Sequence, residues 1–158
     1  MSTRHDWIVT LLASHFRKQG AVVHVEPRVF DYDRVRPDLD ILFSHRRILV
    51  DVTVVRPNAP ARNSLAQLAA AAAAEARKSN HYAANSAIGG AQLLAFALES
   101  FGGFGKQAVE VIQILQSASQ SLATDQIRSI AIALQRGNAH VIKQGAIASR
   151  VAELNFNE

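Results

Sequence analysis

The sequence predicts an α/β protein with a mixed central sheet of about four strands flanked by helices. Two apolar runs, 39–43 and 48–55, flank the polar segment Ser44-His45-Arg46-Arg47, which is the pattern of a β-hairpin. An alanine-rich stretch long enough for a helix then separates the second run from another apolar run, 91–98. A strand, long helix, strand order implies a crossover, so those two strands should lie parallel. At 158 residues, 49% of them apolar, the chain has the length and composition for one domain, expected to span 1–158.

The elements follow in order. Residues 6–18 read as an amphipathic helix, with Trp7, Leu11, Leu12 and Phe16 near helical spacing and Gly20 just past the end. Residues 21–26 are the first strand, closed by Pro27, and 31–34 a polar loop. The hairpin supplies the second and third strands. Arg56-Pro57-Asn58-Ala59-Pro60 breaks the third, since proline has no N–H for a ladder. Asn63 or Ser64 caps a long helix through Leu65 and Leu68 to about residue 84. Its alanine run, 69–74, makes a face that lets a helix approach a sheet closely. Gly89-Gly90 precedes the fourth strand. Phe101-Gly102-Gly103-Phe104-Gly105 is a turn opening a helix over 106–117, and it lacks the Gly-Lys-Ser/Thr of a phosphate loop. Contact of its backbone with a nucleic-acid phosphate is the secondary reading. Thr124 or Asp125 caps a helix that Gly137 stops, and a further helix covers 139–154.

Composition narrows the chemistry. There is no cysteine, which excludes disulfides, thiolate zinc sites and cysteine nucleophiles. The six histidines are scattered and none pairs at ligand spacing, which argues against zinc. No apolar stretch reaches membrane-spanning length and the N-terminus lacks a signal-peptide pattern, so a nuclear or cytoplasmic protein is expected. Charge is uneven: residues 1–78 hold 12 Lys/Arg against 8 Asp/Glu, whereas 79–158 hold 5 of each. A basic half built around a few acids suits a polyanion partner, though ordinary surface solubilisation explains it equally.

The acids that matter are Asp38 and Asp51. The third strand is apolar on both faces, so Asp51 should be buried, where an ionised carboxylate is costly unless paired or bound to metal. If the hairpin pairs Phe43 with Ile48, Asp38 lies opposite Thr53 and Asp40 opposite Asp51. Asp38 and Asp51 are then diagonal neighbours on one face, roughly 7–8 Å apart. Two carboxylates so placed invite a hard divalent cation bound by oxygen ligands. Glu26, ending the strand beside the hairpin, is a candidate for a bound water or a second ion. Glu99 is a weaker spare acid.

Arg36-Pro37-Asp38, twelve residues, then Asp51-Val52-Thr53 is a recognisable unit. With Arg4-His5-Asp6, Glu26-Pro27, the glycine-rich turn and Ala133-Leu134-Gln135-Arg136-Gly137-Asn138-Ala139, it resembles the PD-(D/E)XK nuclease superfamily. More narrowly, it is similar to the restriction-like endonuclease domain that follows the reverse transcriptase of some non-LTR retrotransposons. The resemblance implies a restriction-endonuclease-like sheet and a magnesium-dependent DNA endonuclease that nicks target DNA to prime reverse transcription. It implies catalytic roles for Asp38 and Asp51 and a metal ligand in the Val52 carbonyl. In those domains the superfamily lysine has moved to a following helix; here Thr53 fills the lysine slot and Lys78 is the candidate for the displaced group. Arg36, Arg56, Arg77 and Tyr82 are candidate DNA contacts. DNA is the expected partner, with a reverse transcriptase domain in a longer parent chain. Two alternatives stay open: a structure-selective junction resolvase, expected to be a homodimer, and a catalytically lapsed module that only binds nucleic acid.

Overall fold

The computed structural model describes residues 3–27, 36–57, 68–83, 90–117 and 123–155. The elements are α1 (Thr3–Lys18), β1 (Val22–Val25), β2 (Leu39–Phe43), β3 (Arg46–Val55), α2 (Ala69–Ala83), β4 (Gln92–Glu99), α3 (Lys106–Gln116) and α4 (Ala123–Asn155). The four strands form one mixed sheet in the order β1-β2-β3-β4. The first three are antiparallel neighbours, and β3 and β4 run parallel as the crossover requires. Helices flank the sheet, so the α/β class holds.

Period-two alternation sorts the side chains. Ile41, Val50, Phe96 and Leu98 point to one face and share a core with Ile8, Leu12 and Phe16 of α1, Val111 and Leu115 of α3, and Ile130 and Leu134 of α4. On the other face, Ala97 and Val55 meet Ala71 and Ala74 of α2. The alanine run is therefore structural, its small side chains giving α2 a close seat on β3 and β4. No helix among the described residues is long and apolar enough to cross a membrane.

Three local expectations are corrected. The hairpin turn has two residues, not four: Ser44 and His45 both adopt positive φ, 48° and 63°, and Phe43 pairs with Arg46. That is the type I′ geometry, which matches strand twist but prefers Asn-Gly, so Ser-His carries little sequence signal. Leu68, with φ 62°, breaks the backbone just before α2, so α2 begins at Ala69 and does not run through Leu68. The proposed caps Asn63 and Ser64 lie outside the described residues. Finally, Gly137 does not stop a helix. α4 runs unbroken through it, and a Cβ there would collide with the backbone and side chain of Arg4. The glycine is a close-approach point between α1 and α4.

The glycine-rich turn after β4 has a defined task. β4 is an edge strand, and the turn folds back on it: Glu99 N–H donates to Gly103 O (2.8 Å) and Gly105 N–H to Ala97 O (2.9 Å). Gln107 accepts from Ala95 N–H at 2.8 Å, so much of the exposed ladder is satisfied. The α3 N-terminus is occupied from within. Glu75 of α2, buried, accepts from the N–H groups of Gln107 (2.8 Å) and Ala108 (3.3 Å). Its carboxylate stands where a phosphate contact was the secondary reading. Glu99, likewise buried, accepts from Ala71 N–H (3.3 Å) at the start of α2, so it caps a helix and is not a spare site acid.

A Cβ on Gly105 would occupy the place of the Glu75 carboxylate. Glu75→Ala should therefore lower stability by about 1–3 kcal/mol through two orphaned buried donors. Gly105→Ala should cost a similar amount by displacing the carboxylate. Because both remove one interaction, the double variant should cost less than the sum of the singles in urea unfolding.

Candidate functional site

The two-residue turn moves the register by two positions from the expected one. Leu39 faces Val50, so one further step sets Asp38 directly across from Asp51, and Asp40 faces Leu49. Parity is unchanged, so Asp38 and Asp51 still share a face. They are cross-strand neighbours, not diagonal ones. Asp38 lies just before β2, and one oxygen is fixed by β3 itself: Val52 N–H donates to Asp38 Oδ2 at 2.6 Å. Asp40 is diverted from the site by Arg47, whose guanidinium grips both its oxygens at 3.0 and 2.7 Å.

Asp51 is the most constrained group. It is 4% exposed, on the face covered by α2. The stripe that seats α2 on the sheet, Ala71, Ala74 and Ala70, continues one turn at a time to Lys78 and Tyr82. Tyr82 Oη donates to Asp51 Oδ2 at 2.6 Å, and Lys78 Nζ lies 2.9 Å from the same oxygen. Burial pushes the Asp51 carboxyl above the usual carboxylate range, and the charge of Asp38 adds to this against the pull of Tyr82 and Lys78. Burial and the bond to Asp51 likewise raise the Tyr82 phenol, keeping it a protonated donor.

His5 completes the arrangement, and its role was missed from sequence. Its Nε2 lies 3.1 Å from Asp38 Oδ2 and its Nδ1 3.2 Å from Asp6 Oδ1. The hydrogen bond to Asp38, with the charges of Asp38 and Asp6, overcomes burial and raises His5 from 6.5 to about 9, so it is a cation at neutral pH. Each aspartate thus has its own cation: His5 on Asp38 and Lys78 on Asp51. A lone histidine in Arg4-His5-Asp6 has no spacing to betray this, and only the seat of α1 beside β2 brings it to Asp38.

These groups line a cleft of about 420 Å³, walled by Arg4, His5, Arg36, Asp38, Asp51 and Lys78. Its floor is the β3 segment of Val52, Thr53 and Val54. Thr53 and Lys78 also border a neighbouring cleft of about 330 Å³ with Arg77 and His81. Arg77 therefore faces away from the two acids, on the far side of Lys78. Tyr82 is buried against Asp51, which makes it a support for the acid, not a surface DNA contact. Arg56 is exposed beyond the end of β3, and burial, chiefly, and then the charge of Arg56 lower the Arg4 pKa. Glu26 is exposed at the end of β1, its backbone N–H donating to Asp38 O (2.8 Å), and its side chain is not among the cleft walls. Among the described residues, no three His, Asp or Glu side chains converge as a ready-made metal cage.

The His5–Asp38 pair makes stability depend on pH with a definite sign. A group raised in the folded state stabilises fully below its unfolded value and loses that contribution as pH passes its folded value. Stability from this pair should be complete below about pH 6.5 and fade as pH rises through about 9. His5→Gln should flatten that part of the profile of chemical-denaturation midpoint against pH.

No protein-family model matches this chain, and no curated protein matches it.

Proposed function

We propose that the protein is a divalent-metal-dependent DNA endonuclease, in keeping with its resemblance to restriction-like nuclease domains. The observation that carries the reading is the convergence of Asp38, Asp51 and Lys78 on one cleft rimmed by Arg4 and Arg36. Hydrolysis of a phosphodiester needs oxygen ligands for a hard cation, a water to attack, and positive charge near the phosphate. The donor set fits such an ion. Both carboxylates are hard oxygen donors on one face, and Asp51 is a buried acid whose ionised form is disfavoured by burial. Asp38 and Asp51 would hold the ion, with the Val52 carbonyl as the third ligand implied by the resemblance and water completing the shell. A bound Mg2+ or Mn2+ would supply charge against the phosphate oxygens and acidify a water. Lys78, 36% exposed at the lip of the cleft, is long enough to serve Asp51 and a phosphate in turn. Arg4 and Arg36 favour the polyanion, and His5 orients Asp38. Nicking of target DNA for reverse transcription, with a reverse transcriptase domain as partner, is the narrower form of this proposal.

A second reading has one observation in its favour. Each aspartate already has a side-chain cation, so a domain that only binds nucleic acid would be stable with the cleft as it stands.

Two experiments separate the readings. Asp38→Asn or Asp51→Asn should abolish nicking of supercoiled plasmid in magnesium or manganese while leaving DNA affinity nearly unchanged, because the phosphate contacts remain. In the parent protein magnesium should raise the melting temperature, and either substitution should remove most of that rise. Cleavage that survives both substitutions would sink the assignment.

Lys78→Ala should slow cleavage by roughly 10²–10³, the scale for losing one preorganised electrostatic group. The salt dependence of binding should fall by about one phosphate contact. Lys78→Met separates charge from packing, and Arg77→Ala is the neighbouring control. A parent protein that cuts no DNA with any divalent ion leaves the binding module as the better reading.

A further inference from the structure

Trp7 is the only tryptophan of the chain and is 38% exposed. Its ring leans on His140 of α4, centroids 6.3 Å apart at 59°. Beside it a cleft of about 320 Å³ opens between α1 and α4, with Leu11 and Ala133 as apolar wall and Arg136 as the cation. This cleft is separate from the acidic one, and Arg4 stands between them. Arg4 lines the acidic cleft, precedes Trp7 by three residues on α1, and lies against Gly137, next to Arg136. Three helical residues advance about 4.5 Å along the axis, so Arg4 and Trp7 stand within one turn of each other.

The position of Arg4 is deliberate in physical terms. Asn138 Oδ1 accepts from Arg4 Nη1 at 2.7 Å, and Asn138 Nδ2 donates to Ser100 O at 2.7 Å, so the guanidinium is held by α4 and the end of β4. The same guanidinium borders the acidic cleft, so a strand leaving that cleft passes it. A partly exposed indole beside a cation and an apolar slot offers stacking that any base satisfies, because every base has a π-face. A cation beside a flat aromatic slot suits a polynucleotide, which presents a phosphate and a π-face at every residue.

We propose that the α1–α4 cleft holds an unpaired base of single-stranded DNA, stacked on Trp7, while the adjoining phosphate lies by Arg4. The proposal rests on reading the acidic cleft as a DNA site, and it adds that the strand leaving that cleft is unpaired at this point. A substrate with a single-stranded flank would then be favoured over an uninterrupted duplex.

The lone tryptophan is its own reporter. The full chain is titrated in EDTA with oligothymidylate, with oligouridylate, with an uninterrupted duplex, and with inorganic polyphosphate as a backbone-only polyanion. Oligothymidylate should quench Trp7 emission saturably, and polyphosphate and duplex should not. By anisotropy of a labelled strand, Trp7→Ala should bind about tenfold more weakly. Trp7→Phe should recover most of the loss. The slope of log affinity against log salt should stay unchanged, because no phosphate contact is removed. Equal quenching by polyphosphate or by the uninterrupted duplex, quenching by oligouridylate alone, or wild-type affinity in Trp7→Ala would overturn the proposal. Without a divalent ion the outcome is independent of cleavage. A chain that quenches but never cuts keeps the base site and loses the endonuclease, and one that cuts without quenching does the opposite.

Discussion

A buried carboxylate on the central strand is the constraint around which the α2 face is built. Asp51 lies in β3 between apolar neighbours on a strand covered on both faces, so its charge has little access to water. Leaving it unpaired would cost several kcal/mol, roughly the whole margin of stability of a small domain. α2 answers that need with Tyr82 and Lys78 on one oxygen. The answer works only because α2 sits close, and it sits close because the residues beneath its first turns are alanine. Packing of the helix and compensation of the acid are thus one feature seen at two places along the same stripe.

The same helix holds the far side of the molecule together. Glu75 reaches from α2 to the start of α3, and Glu99 reaches from the end of β4 to the start of α2. Each carboxylate is buried, and each is satisfied by backbone N–H groups at a helix start, where the partial positive charge is greatest. Gln107 then ties α3 to the edge of β4 and, through Ser79 Oγ (3.2 Å), back to α2. These bonds fix the height of α2 over β3, and with it the place of the Lys78 ammonium relative to Asp51.

On the other side of the cleft the work is done by α1. Its seat on the sheet brings His5 to Asp38, and its approach to α4, made possible by the absence of a side chain at Gly137, sets Arg4 at the rim. The acidic cleft is therefore closed by two helices on opposite faces of the sheet, each contributing one cation to one aspartate. Such a pairing keeps the folded chain electrostatically sound by itself, and it leaves both acids on a concave surface rimmed with arginine.

Much of this was legible in the residues. The apolar runs and the alanine stretch determine the strand order and the parallel β3–β4 pair, since apolar periodicity and crossover geometry are local or topological rules. An acid inside Ile48-Leu49-Val50-Asp51-Val52 announces a compensated charge, and Lys78 with Tyr82 one helical turn on reads as a pair sharing its site, though only the fold shows both on Asp51 itself. Tertiary structure decided the rest. The Ser44-His45 turn slides the hairpin by two residues, because strand twist can impose a type I′ turn on residues that do not advertise one. Gly137 reads as a stop from its own propensity and is instead a contact point, since the crowding that requires it comes from a helix more than a hundred residues away. His5 is the clearest case: an isolated histidine carries no signal of its partner, and its charge is set only when folding lays α1 beside Asp38 and removes that pair from water.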